Sequence, residues 1–225
     1  MIKNNSNTVS KTGLSVLLFN ILIKIASFFK VSFIIGSYTA LFSATSMVIP
    51  LAGAFSSNTG ILAICGMGLG LKFLWTGSLS FIHLAYHIPG LFAALYWKNS
   101  SLLFRVGVPL TCMGLFILNP VGGQAWVYSL YWLVPVVLTL ARKKSLFAES
   151  LGATFMAHAV GSVIWIYADP MTPAVWYGLV PVVFVERVVF ASGTVLMYHA
   201  ISYGITAWNT RFNTLTINKT ELLTR

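Results

Sequence analysis

Few side chains in this sequence can do chemistry, and most of those that can stand inside apolar runs. Lys72, His158 and the dipeptide Glu186-Arg187 have hydrophobic residues on both sides, and Asp169 closes such a run just before Pro170. Ionisable groups are expensive in a bilayer and mark functional positions by default. Together these residues would offer two cations, two acids and an imidazole, with Trp165 and Tyr167 adding aromatic walls. That is the make-up of a pocket for a small molecule. The alternative is a set of internal ion pairs, such as Glu186 with Lys72, holding helices together without a ligand.

Catalytic patterns are thin. His83 and His87 are four apart, a spacing that lets two imidazoles share a metal on a helix. The run reads His-Leu-Ala-Tyr-His, however, without the Glu of H-E-x-x-H. There is no G-x-S-x-G elbow, no G-x-x-x-x-G-K-[ST] phosphate loop and no pair of intramembrane aspartates. No catalytic residue, metal or cofactor is therefore expected. Any ATP-driven step would belong to another chain.

Composition dictates the kind of element that must position these groups. The 225 residues include fourteen Lys or Arg and four Asp or Glu, so 8% are charged, against roughly 25% in a soluble domain. Hydrophobic residues make up 57%, and the mean hydropathy is +0.84. This excludes a soluble globular domain, a disordered tail and a fibrous protein, and leaves an all-α polytopic membrane protein. The pI near 9.8 does not mark a nucleic-acid partner, because the basic residues flank apolar runs instead of lining one face. Cys65 and Cys112 sit in apolar stretches with no metal or redox spacing and read as small buried hydrophobes. Met1 to Lys11 is polar and no cleavage pattern follows it, so no secretory signal is expected.

A helix needs about 20 apolar residues to cross the hydrocarbon core. Candidate spans fall at about 31–54, 60–81, 104–119, 123–141, 148–168 and 174–203, forming a single membrane domain over 1–225. Lys72 interrupts the second near its middle. Pro181 is placed to start the regular part of the sixth, with Glu186 and Arg187 one to two turns from the outer surface. Before the first span, residues 13–30 carry Leu14, Leu17, Leu18, Ile21 and Ile25 at helical spacing. They predict an interfacial amphipathic helix, with Val16, Phe19 and Ile23 on its polar side. The segment 83–97 is short and broken by Pro89-Gly90, which predicts a re-entrant or interfacial piece. Lys3, Lys11, Lys24, Lys30, Lys98, Arg105, Arg142-Lys143-Lys144, Arg211, Lys219 and Arg225 are assigned to the cytoplasm, so both termini lie inside and six spans are required. Trp97, Trp126, Tyr128, Tyr131 and Trp132 read as interface anchors.

Small residues recur every fourth position at Gly36, Ala40 and Ala44 and again at Ala153, Ala157 and Gly161. Such rows let helices approach closely in lipid, either within this protein or against a separate membrane subunit.

The stretch Thr39-Ala-Leu-Phe-Ser-Ala-Thr-Ser-Met-Val-Ile-Pro-Leu51 resembles the first membrane helix of substrate-binding (S) components of energy-coupling factor transporters. Members often carry A-x-x-x-A followed by an apolar run and a proline, and Ala40 and Ala44 match that motif. The Asn119-Pro-Val-Gly-Gly123 turn is similar to one in the biotin-uptake branch. The resemblance implies that Ala40 and Ala44, with Gly36 in the same row, dock a transmembrane coupling subunit in the plasma membrane. It implies uptake of a vitamin-like or precursor molecule, with cytoplasmic ATPases driving rotation of the S component. The later helices and external loops would build the site, from Arg187, Glu186, His158, Asp169, Trp165 and Lys72. Two other readings stay open. One is a small membrane enzyme that presents His83, His87 and Lys72 to a lipid-derived substrate, and the other is a structural assembly factor.

Overall fold

The computed structural model describes residues 3–33, 40–78, 81–142, 145–168 and 171–223. They form an all-α fold with one small antiparallel ribbon. The elements are α1 (Lys3–Ser27), β1 (Lys30–Phe33), β2 (Ala40–Ser43), α2 (Thr45–Phe55), α3 (Asn58–Thr76), α4 (Phe81–Lys98), α5 (Leu103–Leu118), α6 (Pro120–Gln124), α7 (Trp126–Leu140), α8 (Leu146–Ala168) and α9 (Pro173–Leu223). Among the described residues, three helices are long and apolar enough to cross a membrane: α3, α8 and the Pro173–Trp208 part of α9. The segments Gly13–Ser27, α2, α5 and α7 are shorter apolar helices.

Helix α8 is the most buried of the three long helices, and α4, α5, α7 and α9 pack around it. Its small residues explain the closeness. Ala153 and Met156 are buried against Ala93 and Tyr96 of α4, and Gly161 lies against Pro89. A Cβ at Gly152 would overlap the Tyr96 ring. The Ala153/Ala157/Gly161 row is thus consumed by packing inside the protein. Helix α2 is held in the same manner, with Gly53 against the Ala94 carbonyl of α4 and Met47 against Gly193 of α9.

Several expectations change. The described residues of 31–54 do not form a spanning helix. Lys30 pairs with Ser43 and Phe33 with Ala40 in the ribbon, and α2 begins only at Thr45, tightened to a 3-10 turn at Ile49–Leu51. The Ser43 and Thr45 hydroxyls bond each other at 2.7 Å, and such side chains also offer the backbone alternatives to a helix. Residues 83–97 lie in an uninterrupted 18-residue helix, α4, with Pro89 inside it. At ~1.5 Å per residue it is roughly 27 Å long. Neighbouring helices make an internal proline tolerable in an apolar environment, and here Gly161 of α8 lies against it.

Helix α1 also faces the other way round. Leu14, Leu17, Leu18, Ile21 and Ile25 are exposed, while Val16, Phe19, Asn20 and Ala26 are buried. Helix α1 packs on α2 and α3, and the Phe19 and Phe55 rings are 6.4 Å apart. Both faces are apolar, so the pattern could not orient the helix. The buried face is the one carrying an amide, whose Nδ2 donates to Val16 O at 3.0 Å.

Helix α3 starts at Ser57, whose hydroxyl accepts from Gly60 N at 3.1 Å. It ends at Gly77, whose φ of 69° closes the helix with a bond to Phe73 O. Lys72 therefore lies one turn from the end of the helix and not near its middle. Helix α9 runs unbroken for 51 residues with Pro181 inside, so Glu186 sits roughly 20 Å into the helix at ~1.5 Å per residue, deeper than expected.

Candidate functional site

The described residues gather their polar side chains where α7, α8 and α9 meet around α5. The first half of α7, Trp126–Trp132, is a 3-10 helix of seven residues, although such runs seldom exceed about four. This winding buries Tyr128, Ser129 and Trp132. Phe116 of α5 meets Trp132 and Trp176 edge-on, with ring centroids 5.2 and 5.0 Å away. Tyr128 lies 4.9 Å from Trp176 and 5.3 Å from His158 of α8. Ser162 lies near its hydroxyl, and Arg187 lies within charge range of both Tyr128 and His158. Tyr131 closes the edge, donating its hydroxyl to Val180 O at 2.9 Å.

Arg187 is 4% exposed. Its Nη2 donates to Glu186 Oε2 at 2.9 Å, and its guanidinium lies 4.9 Å from the centre of the Phe190 ring. The bond joins two neighbouring residues of α9, and the pair brings a cation and an acid into an apolar interior.

Three ring nitrogens in this cluster are buried without a hydrogen-bond partner: Trp132 Nε1, Trp176 Nε1 and His158 Nε2. A fourth, Trp97 Nε1, lies apart, where Trp97 stacks on Tyr198. At least about 90% of buried polar groups find partners, so three exceptions in one cluster need an explanation. Two indole N–H groups and a guanidinium make the cluster rich in donors, suited to a molecule that presents acceptor oxygens.

The structure brings Glu186, Arg187 and His158 together, and leaves the other expected site residues elsewhere. Lys72 is exposed on α3 and does not pair with Glu186. Trp165 is engaged by Tyr86 of α4, centroids 5.7 Å apart. Asp169 and Gly36 lie outside the described residues, as does the side chain of Ala40, which belongs to β2. Ala44 packs inward against the core of α1, α2 and α3, and its N–H bonds Phe29 O at 2.8 Å. The docking row is therefore not one helical face. The His83 side chain lies outside the described part, and among the described residues no group of three metal-ligating side chains occurs.

Of the five expected anchors, only Trp126 is exposed; Tyr128 and Trp132 are buried, and Trp97 and Tyr131 half-buried. Trp176 had not been singled out. The signal that would have flagged these residues is the polar handle on a large aromatic side chain near an intramembrane charge.

A second ion pair had also gone unnoticed. Arg105, expected only as a cytoplasmic marker, forks onto Glu149: Nη1 lies 3.0 Å from Oε2, and Nη2 contacts Oε1. Its Nε donates to Asn99 O and its Nη2 to Tyr96 O, both at 2.7 Å. The guanidinium sits 4.3 Å from the centre of the Tyr96 ring, whose hydroxyl pairs with Thr139 Oγ1 of α7 at 3.2 Å.

No family model, curated protein or solved structure matches the chain. Its class is defined by its own fold and site: an all-α chain with, among the described residues, three helices long and apolar enough to cross a membrane, and a buried Glu–Arg pair beside an aromatic cluster.

Proposed function

We propose that the chain is an integral membrane protein that holds a small, acceptor-bearing polar molecule between Trp132, Trp176, His158 and the Glu186–Arg187 pair. It acts as the substrate-binding subunit of an uptake system whose ATPases are separate chains. The observation that carries the binding reading is the set of three unpartnered ring nitrogens beside that pair. Aromatic walls supply most of the contact area, and the few polar groups fix orientation. Arg187 attracts the acceptor oxygens, Glu186 offsets its charge, and the indole N–H groups make directed contacts. The transport reading and the coupling partner rest on the resemblance of residues 39–51, to which the alanine row adds no support because Ala44 is turned inward.

Native mass spectrometry of the protein, purified in mild detergent without added ligand, tests this. We expect one retained small molecule, lost in Glu186→Gln and in Trp176→Phe. A folded protein with nothing bound, or equal retention in both variants, removes the site. Unchanged cellular uptake of the identified molecule after deletion of the protein removes the transport role.

A further inference from the structure

A separate cavity of about 60 Å³ lies between α1, α2, α3 and α4. Most of its wall is apolar, formed by residues such as Ile23, Ile49, Ile61, Ile64 and Leu91. One edge is polar. A Cβ at Gly68 would lie 3.3 Å from His87 Nε2 and 3.7 Å from Asn20 Oδ1, so the missing side chain leaves both groups beside the space. Asn20 is 9% exposed; its Nδ2 donates to Val16 O, and its Oδ1 lies on that edge. Cys65 is half-buried and also lines the cavity.

The surroundings indicate how a ligand would arrive. The opposite face of α1 exposes Leu14, Leu17, Leu18, Ile21, Leu22 and Ile25, and α3 exposes Leu62 on its outer side. Cys65, Gly68 and Ile23 are half-buried, so the cavity reaches the surface along the seam between these helices. A seam flanked by exposed leucines and isoleucines favours solutes already partitioned into the bilayer. The space is small: at roughly 10–15 Å³ of centre space per water, it holds about four to six heavy atoms. That excludes a whole lipid and admits a short chain with one head group.

We propose that this cavity is a binding site for a small hydroxyl-bearing amphiphile that enters from the bilayer between α1 and α3. The hydroxyl gives its proton to Asn20 Oδ1, the His87 imidazole forms the other side of the polar edge, and the alkyl body lies against Ile61, Ile64 and Leu91. The site is independent of the aromatic cluster, which belongs to α5, α7, α8 and α9.

Cys65 provides the readout. The full chain with Cys112→Ala, in phosphatidylcholine nanodiscs, is alkylated with N-ethylmaleimide in the presence of 1-pentanol or n-pentane. We expect 1-pentanol to slow labelling of Cys65 several-fold, n-pentane to slow it much less, and Asn20→Leu to erase the difference. The comparison of the two probes needs no substitution at the site, so it stands even if Asn20→Leu fails to fold. A Leu62→Cys reporter in a Cys65→Ala, Cys112→Ala background controls for effects on the bilayer and should be indifferent to 1-pentanol. An unchanged Cys65 rate, equal slowing by both probes, or equal slowing at Leu62→Cys would overturn the proposal.

Discussion

The two ion pairs of the described residues each join an arginine to a glutamate, yet they are built for different work. Arg105 and Glu149 are 44 residues apart and meet through a two-nitrogen fork, and the same guanidinium also bonds two backbone carbonyls. Glu149 lies in the first turn of α8, where the helix dipole favours an acid. Nearly every polar atom there has a named partner, and the contacts tie α4, α5 and α8 together. Glu186 and Arg187 are sequence neighbours, and their 2.9 Å contact lies within one helix. Around them, ring nitrogens lack partners. A pair that closes its own hydrogen-bond account stabilises a fold; a pair surrounded by unsatisfied donors has capacity left for something else.

The sharpest way to break this comparison is to cut the fork. Removing one partner of a buried pair costs about 3–5 kcal/mol, and side-chain exposures of 15% and 23% lower the expectation for Glu149→Ala to about 2–4 kcal/mol. Reversible unfolding in mixed detergent micelles, followed by far-UV circular dichroism, measures it. A loss well under 1 kcal/mol would mean that the fork is not a clamp. The double variant Arg105→Met/Glu149→Leu should remain destabilised, because the Asn99 and Tyr96 carbonyls lose their donor.

A smaller effect is expected where the clamp touches the helix seam. Gly152 has no room for a Cβ beside the Tyr96 ring, so Gly152→Ala should cost about 1–3 kcal/mol through overpacking in the same unfolding assay. Gly178, whose added Cβ meets nothing within 4 Å, provides the matched control on α9. Equal effects at the two glycines would show that the α4–α8 approach is looser than the packing implies.

Much of the frame could be read from the sequence, and the site only in part. Helix α8 announced itself as one long apolar run with small residues every fourth position, a signal that is local and periodic. The break at Pro89-Gly90 pointed the wrong way, because what stabilises α4 there is Gly161 of another helix, which no window around residue 89 contains. Tyr128 and Trp132 read as anchors because position in the chain says nothing of the 3-10 winding that turns them inward. Glu186, Arg187 and His158 were found because a charge or imidazole in an apolar run is costly wherever the chain folds. Glu149 was missed because its partner lies 44 residues away, and Lys72 misled because Gly77 ends its helix one turn later.

The smallest expected effect on stability is the most informative. Replacing a whole buried ion pair with apolar residues of similar size is often neutral or stabilising, by about 1–4 kcal/mol. The Glu186–Arg187 pair fits that case, since its two members are neighbours on one helix. Glu186→Leu/Arg187→Met should therefore leave the unfolding midpoint unchanged or raise it, while retention of the small molecule is lost. Cooperative unfolding in both proteins would show that the lost retention is not lost folding. If the double variant instead falls by as much as Glu149→Ala, both pairs are clamps and the capacity assigned to the aromatic cluster disappears. If it gains stability and loses its ligand, the protein keeps a costly buried pair for binding, as expected where function is held at the expense of the fold.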